Sequence, residues 1–346
     1  MPRLTVDLRS DTVTRPTPAM REAMARAEVG DDVIDRDPTT ARLEARLAEL
    51  LGYEAALFMP SGTMTNQVAV RLHCRPGDEL VCDARCHIYN YEQGGFAQLS
   101  GVATRAIAGE GGMIERDALL RSIRREDVHQ VRTRLVCLEN THNMAGGRVL
   151  PLAAVADTCA AAAERGLRRH LDGARLFNAV AASGVAAREW AAHFDTVSIC
   201  FSKGLGAPVG SALAGSAAAM REANRHRKLF GGGMRQSGVI AAGALHALEH
   251  HLPLLAEDHR RARELAEAIA AVPFLELEPA EVETNIVLFR VDERKVTAEA
   301  LVARMAEAGI HMLSLGPGQI RAVTHLDFDD EALAYCVDFF ADLARR

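Results

Sequence analysis

Between Ala55 and about Gly215 the apolar positions fall in short runs rich in Val, Ile and Leu. A polar, glycine-bearing loop and then a stretch of helical periodicity follow each run. Strands are expected near 55–59, 79–83, 103–107, 134–139, 168–172, 196–201 and 210–214, and helices near 62–73, 115–126, 151–165 and 216–229. This alternation predicts an α/β fold with a mainly parallel, seven-stranded, doubly wound sheet covered by helices on both faces. Upstream, DLRSDTVTRPTPAM is polar and β-rich and reads as an extended arm. Thr17-Pro18 and Asp37-Pro38 then supply cap and first position for helices near 18–28 and 38–51. Gly30 to Arg36, between them, is too acidic for a core and is read as a loop. A long helical region over about 236–271, broken near Pro253, leads to a different texture. There FLELE, TNIVLFRV, a helix near 297–309, HMLSL, QIRAVTH and a final amphipathic helix near 329–345 make a small α+β unit. The expected division is an arm and first helix over 1–30 packing with the small domain, a large α/β domain over 31–250, and a small C-terminal α+β domain over 251–346.

Three loops along this pattern carry candidate chemistry. DTVSICFSKGLGAPVG is an apolar strand that breaks at Ser202-Lys203 into a glycine-rich turn. A lysine buried there has its ammonium form disfavoured, and the neutral amine condenses with an aldehyde to a Schiff base; pyridoxal phosphate (PLP) is such an aldehyde. A lysine reaching for solvent is the alternative. HLDGARLFNAV ends an earlier strand on Asp172, at the carboxyl edge where open α/β sheets bind ligands. A carboxylate against a pyridine nitrogen keeps the ring protonated, as PLP chemistry requires. In MPSGTMTN a strand opens into a helix whose first amides, with Gly62 for close approach and hydroxyls from Ser61 and Thr63, suit a phosphate. An ordinary helix cap is the other reading. His87, in CHIYNYEQGG, falls on the same edge and could stack on a planar ring, act as a base or simply be a hydrogen-bonded loop residue. Tyr91 and Glu92 follow one turn on. Arg175 and Arg321 have the planar fork that captures a carboxylate. Arg321, set in an apolar strand, is the stronger of the two, because an unpaired charge there is costly.

Composition narrows the field. The chain has 346 residues, enough for two domains and a large core. Its formal charge of −6 does not call for nucleic acid or an anionic membrane. Seven cysteines scattered through apolar segments fit reduced thiols and a cytoplasmic protein; Cys82, Cys86 and His87 lack the second cluster that a metal site needs, so no metal is expected. No run approaches the roughly 18 to 20 apolar residues of a membrane span, and the N-terminus has no leader-like apolar region.

Over nearly its whole length the chain resembles the threonine aldolases of the PLP-dependent fold-type I (aspartate aminotransferase-like) superfamily, in the branch shared with β-eliminating lyases. The strings that carry the resemblance are DLRSDTVTRPT, GDDV with DPT close behind, PSGTMTNQ, LENTHN, HLDGARLFNA, CFSKGLGAPVG, KLFGGGMRQSG and RAVTHLD. It implies that Lys203 carries the cofactor, Asp172 holds the pyridinium, His87 stacks on the ring, and Gly62 with Thr63 binds phosphate. Ser10, Arg175 and Arg321 would grip the substrate carboxylate, and His129 in EDVHQ would lie near the β-hydroxyl. Lys228 and Arg235 would reach the cofactor of a neighbouring subunit in a homotetramer. The implied reaction is retro-aldol cleavage of threonine to glycine and acetaldehyde, with His87, His129 or an ordered water as base. Another PLP reaction, β-elimination or racemisation, is the alternative on the same fold, and a non-catalytic amino-acid sensor is a third reading. One departure stands out: where most members carry an aromatic and a glycine after GDDV, this chain has Ile34-Asp35-Arg36, which bears on side-chain preference.

Overall fold

In the computed structural model, which describes residues 4–345, arm residues Val6–Asp7 (β1) precede a sheet of seven strands. These are β2 (Ala55–Met59), β3 (Asp78–Asp83), β4 (Ala103–Ile107), β5 (Arg132–Glu139), β6 (Arg168–Gly173), β7 (Thr196–Cys200) and β8 (Ser211–Gly215). Their order is β2-β8-β7-β6-β5-β3-β4, and β8 alone runs against its neighbours. Each strand lies within two residues of its expected place because its apolar run is short and ends in turn chemistry. A parallel sheet needs a crossover between neighbours, and the intervening helices supply it. The carboxyl ends of β2, β3, β5, β6 and β7 therefore share one rim, followed in sequence by Ser61, His87, Asn143, Arg175 and Lys203.

A second, antiparallel sheet has the order β12-β13-β10-β9, from β9 (Leu275–Leu277), β10 (Ile286–Val291), β12 (Leu313–Gly316) and β13 (Gln319–Val323). β1 pairs in parallel with β11 (Ile310–His311), and Leu8 continues the bond pattern, its amide reaching His311 O at 2.8 Å and its carbonyl Val323 N at 2.9 Å. Val6 and Leu8 thus join the core formed by Leu265, Ile269, Phe289 and Phe340. The first helix, Pro18–Ala25, does not follow the arm. Met20 is buried in the main core beside Leu43 and Leu47, and the helix lies against Gly238–His250, where Gly243 leaves room for Met24. The expected packing of this helix on the small unit is corrected accordingly: its apolar residues meet a glycine-bearing helix of the large unit. The 236–271 region is two helices, Gly238–His250 and Leu255–Ala270, joined by the turn Leu252–Leu254. Short helices Gly95–Ser100, Leu176–Ser183 and Ala187–Ala191 carry too few turns for a periodic signal. Among the described residues no single helix is long and apolar enough to cross a membrane.

The acidic loop before helix Pro38–Leu51 is held by Asp37. Fully buried, it accepts from Thr40 N at 2.9 Å as the helix cap and from Gly30 N at 3.0 Å. Asp37→Ala leaves both amides without a partner and is expected to lower unfolding stability by roughly 2 kcal/mol, read as a shifted urea midpoint with unchanged slope.

Candidate active site

Lys203 stands in a tight turn after β7. Gly206 N donates to Lys203 O at 2.8 Å, and Phe201 N to Gly210 O at 3.0 Å. Gly210 has φ +112, and a Cβ there would sit 2.5 Å from the Phe58 ring, so the turn needs glycine. Helix Gly62–His73 begins opposite. A Cβ on Gly62 would come within 2.6 Å of Cys200 Sγ, so this residue lets the helix start close over the end of β7. Ser61 caps the helix, accepting from Met64 N at 3.2 Å, and first-turn amides such as those of Gly62 and Thr63 have no intrahelical acceptor. Ser61, Gly62, Thr63, Ser202 and Lys203 line a cavity of about 230 Å³ that also touches Asp172 and His87. The cap reading and the anion reading of Ser61 hold together: the hydroxyl oxygen caps, and its proton remains to be donated.

Below the cavity runs a string of buried polar groups whose donors can be assigned. Asn66 Nδ2 donates to Asp172 Oδ2 at 2.7 Å and to Glu92 Oε1 at 2.8 Å, so its Oδ1 is the acceptor facing Ser198 Oγ at 2.9 Å and His170 Nε2 at 3.1 Å. His170 then carries its proton on Nε2. Burial pushes its pKa down to about 4, so the ring is neutral and Nδ1 accepts from Thr196 Oγ1 at 2.9 Å. That hydroxyl in turn accepts from His73 Nε2 at 2.9 Å. Every donor in the string points towards the two carboxylates. Burial alone would raise the Asp172 pKa; His87, Lys203 and the Asn66 hydrogen bond outweigh it and hold the acid below its ordinary value, hence charged. Ligand atoms of His87, Glu92 and Asp172 lie within 4.8 Å of one another, yet Asn66, Gln67 and Ala174 already donate to these carboxylates, so the cluster is closed by hydrogen bonds.

A second cavity of about 290 Å³ adjoins, lined among others by Ser10, His87, Tyr91, Asp172, Arg175, Lys203 and Arg321. The two arginines in it differ. Arg175 is held by Asp11, with Nε at 2.7 Å from Oδ2 and Nη2 at 2.8 Å from Oδ1, both residues buried. Arg321, 9% exposed, has no acidic partner among the described residues. Its Nη1 donates to Asn143 Oδ1 at 3.1 Å, its Nη2 reaches Arg9 O at 3.3 Å, and its Nε is buried without a partner. Burial and the neighbouring Arg175 push its pKa down.

The structure therefore brings Ser10, Ser61, Gly62, Thr63, His87, Tyr91, Asp172, Arg175, Ser202, Lys203 and Arg321 to one pair of adjoining cavities. His129 is not among them. It is exposed in the turn before β5, at the amino end of that strand, whereas Asp172 and Lys203 stand at the carboxyl ends of theirs, so within its own chain it is corrected out of the site. Lys228 is exposed beside a separate cavity with Asp32 and Gly233, and Arg235 pairs with Asp31 at 3.2 Å. Sequence reasoning missed Asn66, Asp11, Asn143 and Glu139. Asn66 had a readable signal, lying on one helix face with Gly62 at an i, i+4 spacing.

Asp11 is held well below the usual carboxylate range: burial opposes its charge, but Arg175 outweighs it. A depressed folded value means its stabilisation is complete above an unfolded pKa of about 4 and is lost as pH falls below that towards the folded value. Asp11→Asn is expected to cost roughly 3–5 kcal/mol at pH 7, with the gap to the parent narrowing in urea unfolding at about pH 3.

A family model described as beta-eliminating lyase matches residues 7–294. The chain is 43% identical to low-specificity L-threonine aldolase 1 of Arabidopsis thaliana over 97% of this chain and 95% of that one. It is 42% identical to the low specificity L-threonine aldolase of Escherichia coli (strain K12) over 95% and 96%. The structure of Leishmania major threonine aldolase superposes with a TM-score of 0.81 at 22% identity, covering 98% of this chain and 99% of that one. With Lys203, Asp172 and the open helix terminus on one rim of this sheet, the chain belongs to the beta-eliminating lyase family, among the low-specificity threonine aldolases.

Proposed function

We infer that the chain is a carbon–carbon lyase that cleaves L-threonine, L-allo-threonine and related β-hydroxy-α-amino acids to glycine and an aldehyde, with PLP as its cofactor. The residues present fit that group. Lys203 offers the amine, Asp172 a charged carboxylate for the ring nitrogen, Ser61, Gly62, Thr63 and Ser202 the donors for phosphate, and His87 a ring to stack. When bound, PLP supplies an electron sink for the pair released from the Cα–Cβ bond.

The observation that carries the substrate class is Arg321. A guanidinium buried in a cavity wall with no acid to pair with among the described residues costs free energy that an incoming α-carboxylate offsets. Arg175 already has Asp11, so it orients and adds charge, and Ser10 supplies a hydroxyl beside them. Tyr91, half exposed and with its ring 5.6 Å from that of His87, borders the space left for the substrate side chain. Of the two histidines considered as base, His87 lines this cavity.

Lys228 and Arg235 are assigned to a neighbouring subunit's cofactor in a homotetramer, a reading supported by their exposed position and by their lying outside the linings of the two adjoining site cavities. A cytoplasmic location is supported by seven free, buried cysteines.

Incubation with L-threonine and L-allo-threonine should release acetaldehyde and glycine in equal amounts. Pyruvate from L-serine without aldehyde from threonine would instead assign β-elimination. Lys203→Ala should lose both the visible absorption band of lysine-bound cofactor and aldehyde release. Arg321→Ala should raise KM for threonine by roughly 10- to 100-fold, the loss of one charge-assisted hydrogen bond, while the absorption band persists.

A further inference from the structure

We propose that Glu92 is a positioning residue for the aldol step: it fixes the His87 proton on Nδ1, so that Nε2 keeps a lone pair for the β-hydroxyl proton of the substrate. This deepens the aldolase reading and rests on it. Glu92 is 3% exposed, and three N–H groups converge on its two oxygens. Oε1 accepts from Asn66 Nδ2 at 2.8 Å, and Oε2 from Gln67 Nε2 at 2.6 Å. His87 Nδ1 lies 2.9 Å from Oε1. Since Asn66 must turn its nitrogen to the two carboxylates, Oε1 already holds one proton donor, and the hydrogen between it and His87 belongs to the ring. Nε2 is then the unprotonated nitrogen of the neutral imidazole, and among the described residues nothing is hydrogen-bonded to it.

The geometry holds the ring from both ends. His87 N donates to Glu139 Oε2 at 2.5 Å, anchoring the start of the short helix His87–Asn90, while Nδ1 is tied to Glu92 beyond its end. The charged and titratable groups around the ring are Glu92, Asp172, Lys203, Glu139 and Tyr91. Burial opposes protonation of His87, but the Glu92 hydrogen bond and the Asp172 and Glu92 charges outweigh it and raise the pKa above its ordinary value. A base whose proton affinity is raised in this way takes a proton and holds it, with Glu92 stabilising the cation so formed. In the step itself the β-hydroxyl proton passes to Nε2, the O–H pair becomes the second carbonyl bond of the aldehyde, and the Cα–Cβ pair stays with the carbon that becomes glycine's Cα. A proton is then returned to that carbon, so the atoms of threonine are divided between acetaldehyde and glycine.

The test compares the holoenzyme with Glu92→Gln and Glu92→Asp. Diethyl pyrocarbonate acylates only unprotonated imidazole nitrogen, and its rate at His87, followed by peptide mass spectrometry against pH, reports the ring's titration without reference to turnover. Glu92→Gln should shift that midpoint down by about one pH unit, a tenfold change in proton affinity, and move the acidic limb of kcat with it. It should also lower kcat for threonine by roughly 100-fold with little change in KM, and Glu92→Asp should recover part of each. A folded, cofactor-bound Glu92→Gln enzyme with an unmoved His87 midpoint and acidic limb would overturn the proposal. If Glu92→Gln does not fold, an unmoved midpoint in Glu92→Asp does the same. Parent enzyme that releases no aldehyde from threonine would sink the aldolase reading instead, and the modification midpoints would stand apart from that result.

Discussion

Two buried carboxylates, Asp172 in the wall of both site cavities and Glu92 behind it, converge on one amide, and the rest of the site is arranged around that meeting. Asp172 and Glu92 are each buried to within a few per cent, and for Asp172 burial alone would favour protonation, which His87, Lys203 and Asn66 outweigh. A single amide, Asn66, bridges them, and because its nitrogen serves both acids its oxygen must be satisfied from behind. The sheet provides for this. His170 and Asp172 are two residues apart on β6 and so share a face, as do Thr196 and Ser198 on β7, and the strand register sets His170 opposite Thr196 and Asp172 opposite Ser198. Asn66 therefore meets Asp172, Ser198 and His170 together on one sheet face. The parallel order of the strands is what makes a charged acid at this point sustainable.

A complementary imbalance governs the second cavity. Arg175 and Arg321 bring two positive charges to it, and both donate to Asn143 Oδ1. Asp11 neutralises one of them from the N-terminal arm and also accepts from Asn285 Nδ2 at 3.3 Å, beside the start of β10. The arm is thus joined to the large sheet through Arg175 and to the small one through Asn285 and the Leu8 bonds to β11 and β13. This leaves one cationic fork in the second cavity with no acidic partner among the described residues.

Much of this was legible in the sequence because its signal is local. Lys203, Asp172 and Gly62 each follow an apolar strand at a glycine-marked break, and a break after a parallel strand falls on the ligand-binding rim whatever the rest of the fold does. Glu92 carries only its place one turn after His87, and Asp11 no mark at all: the partners of both are brought to them by tertiary packing, and from sequence alone Asp11 is one acid among many. His129 shows the reverse failure. Its string resembled a family motif, but the residue precedes a strand rather than following one, and direction along the strand decides which rim it occupies. The Ile34-Asp35-Arg36 departure also looks different in three dimensions. Ile34 is 74% exposed, Arg36 has φ 97, and its guanidinium pairs with Glu44 at 2.7 Å. The added cation therefore pairs with helix Pro38–Leu51 and does not line the pair of cavities around Lys203.

A larger cavity, about 790 Å³, lies at the opposite rim, lined by Tyr53, His73, Arg168, Asp195 and others. Size would favour it as a site, but these four polar side chains are already engaged. Tyr53 donates to two backbone carbonyls, Asp195 pairs with Arg168 and Arg169, and His73 is the outer end of the string that runs to Asp172. Burial lowers the His73 pKa to about 3, so no proton charge is available there either. What distinguishes the smaller pair of cavities is incompleteness among the described residues: first-turn amides with no intrahelical acceptor, a guanidinium with no acid and an imidazole nitrogen with no donor. Free energy spent on leaving such groups open in a folded chain is recovered only when a ligand closes them, so unmet valence, more than volume, separates a working site from a hollow in the surface.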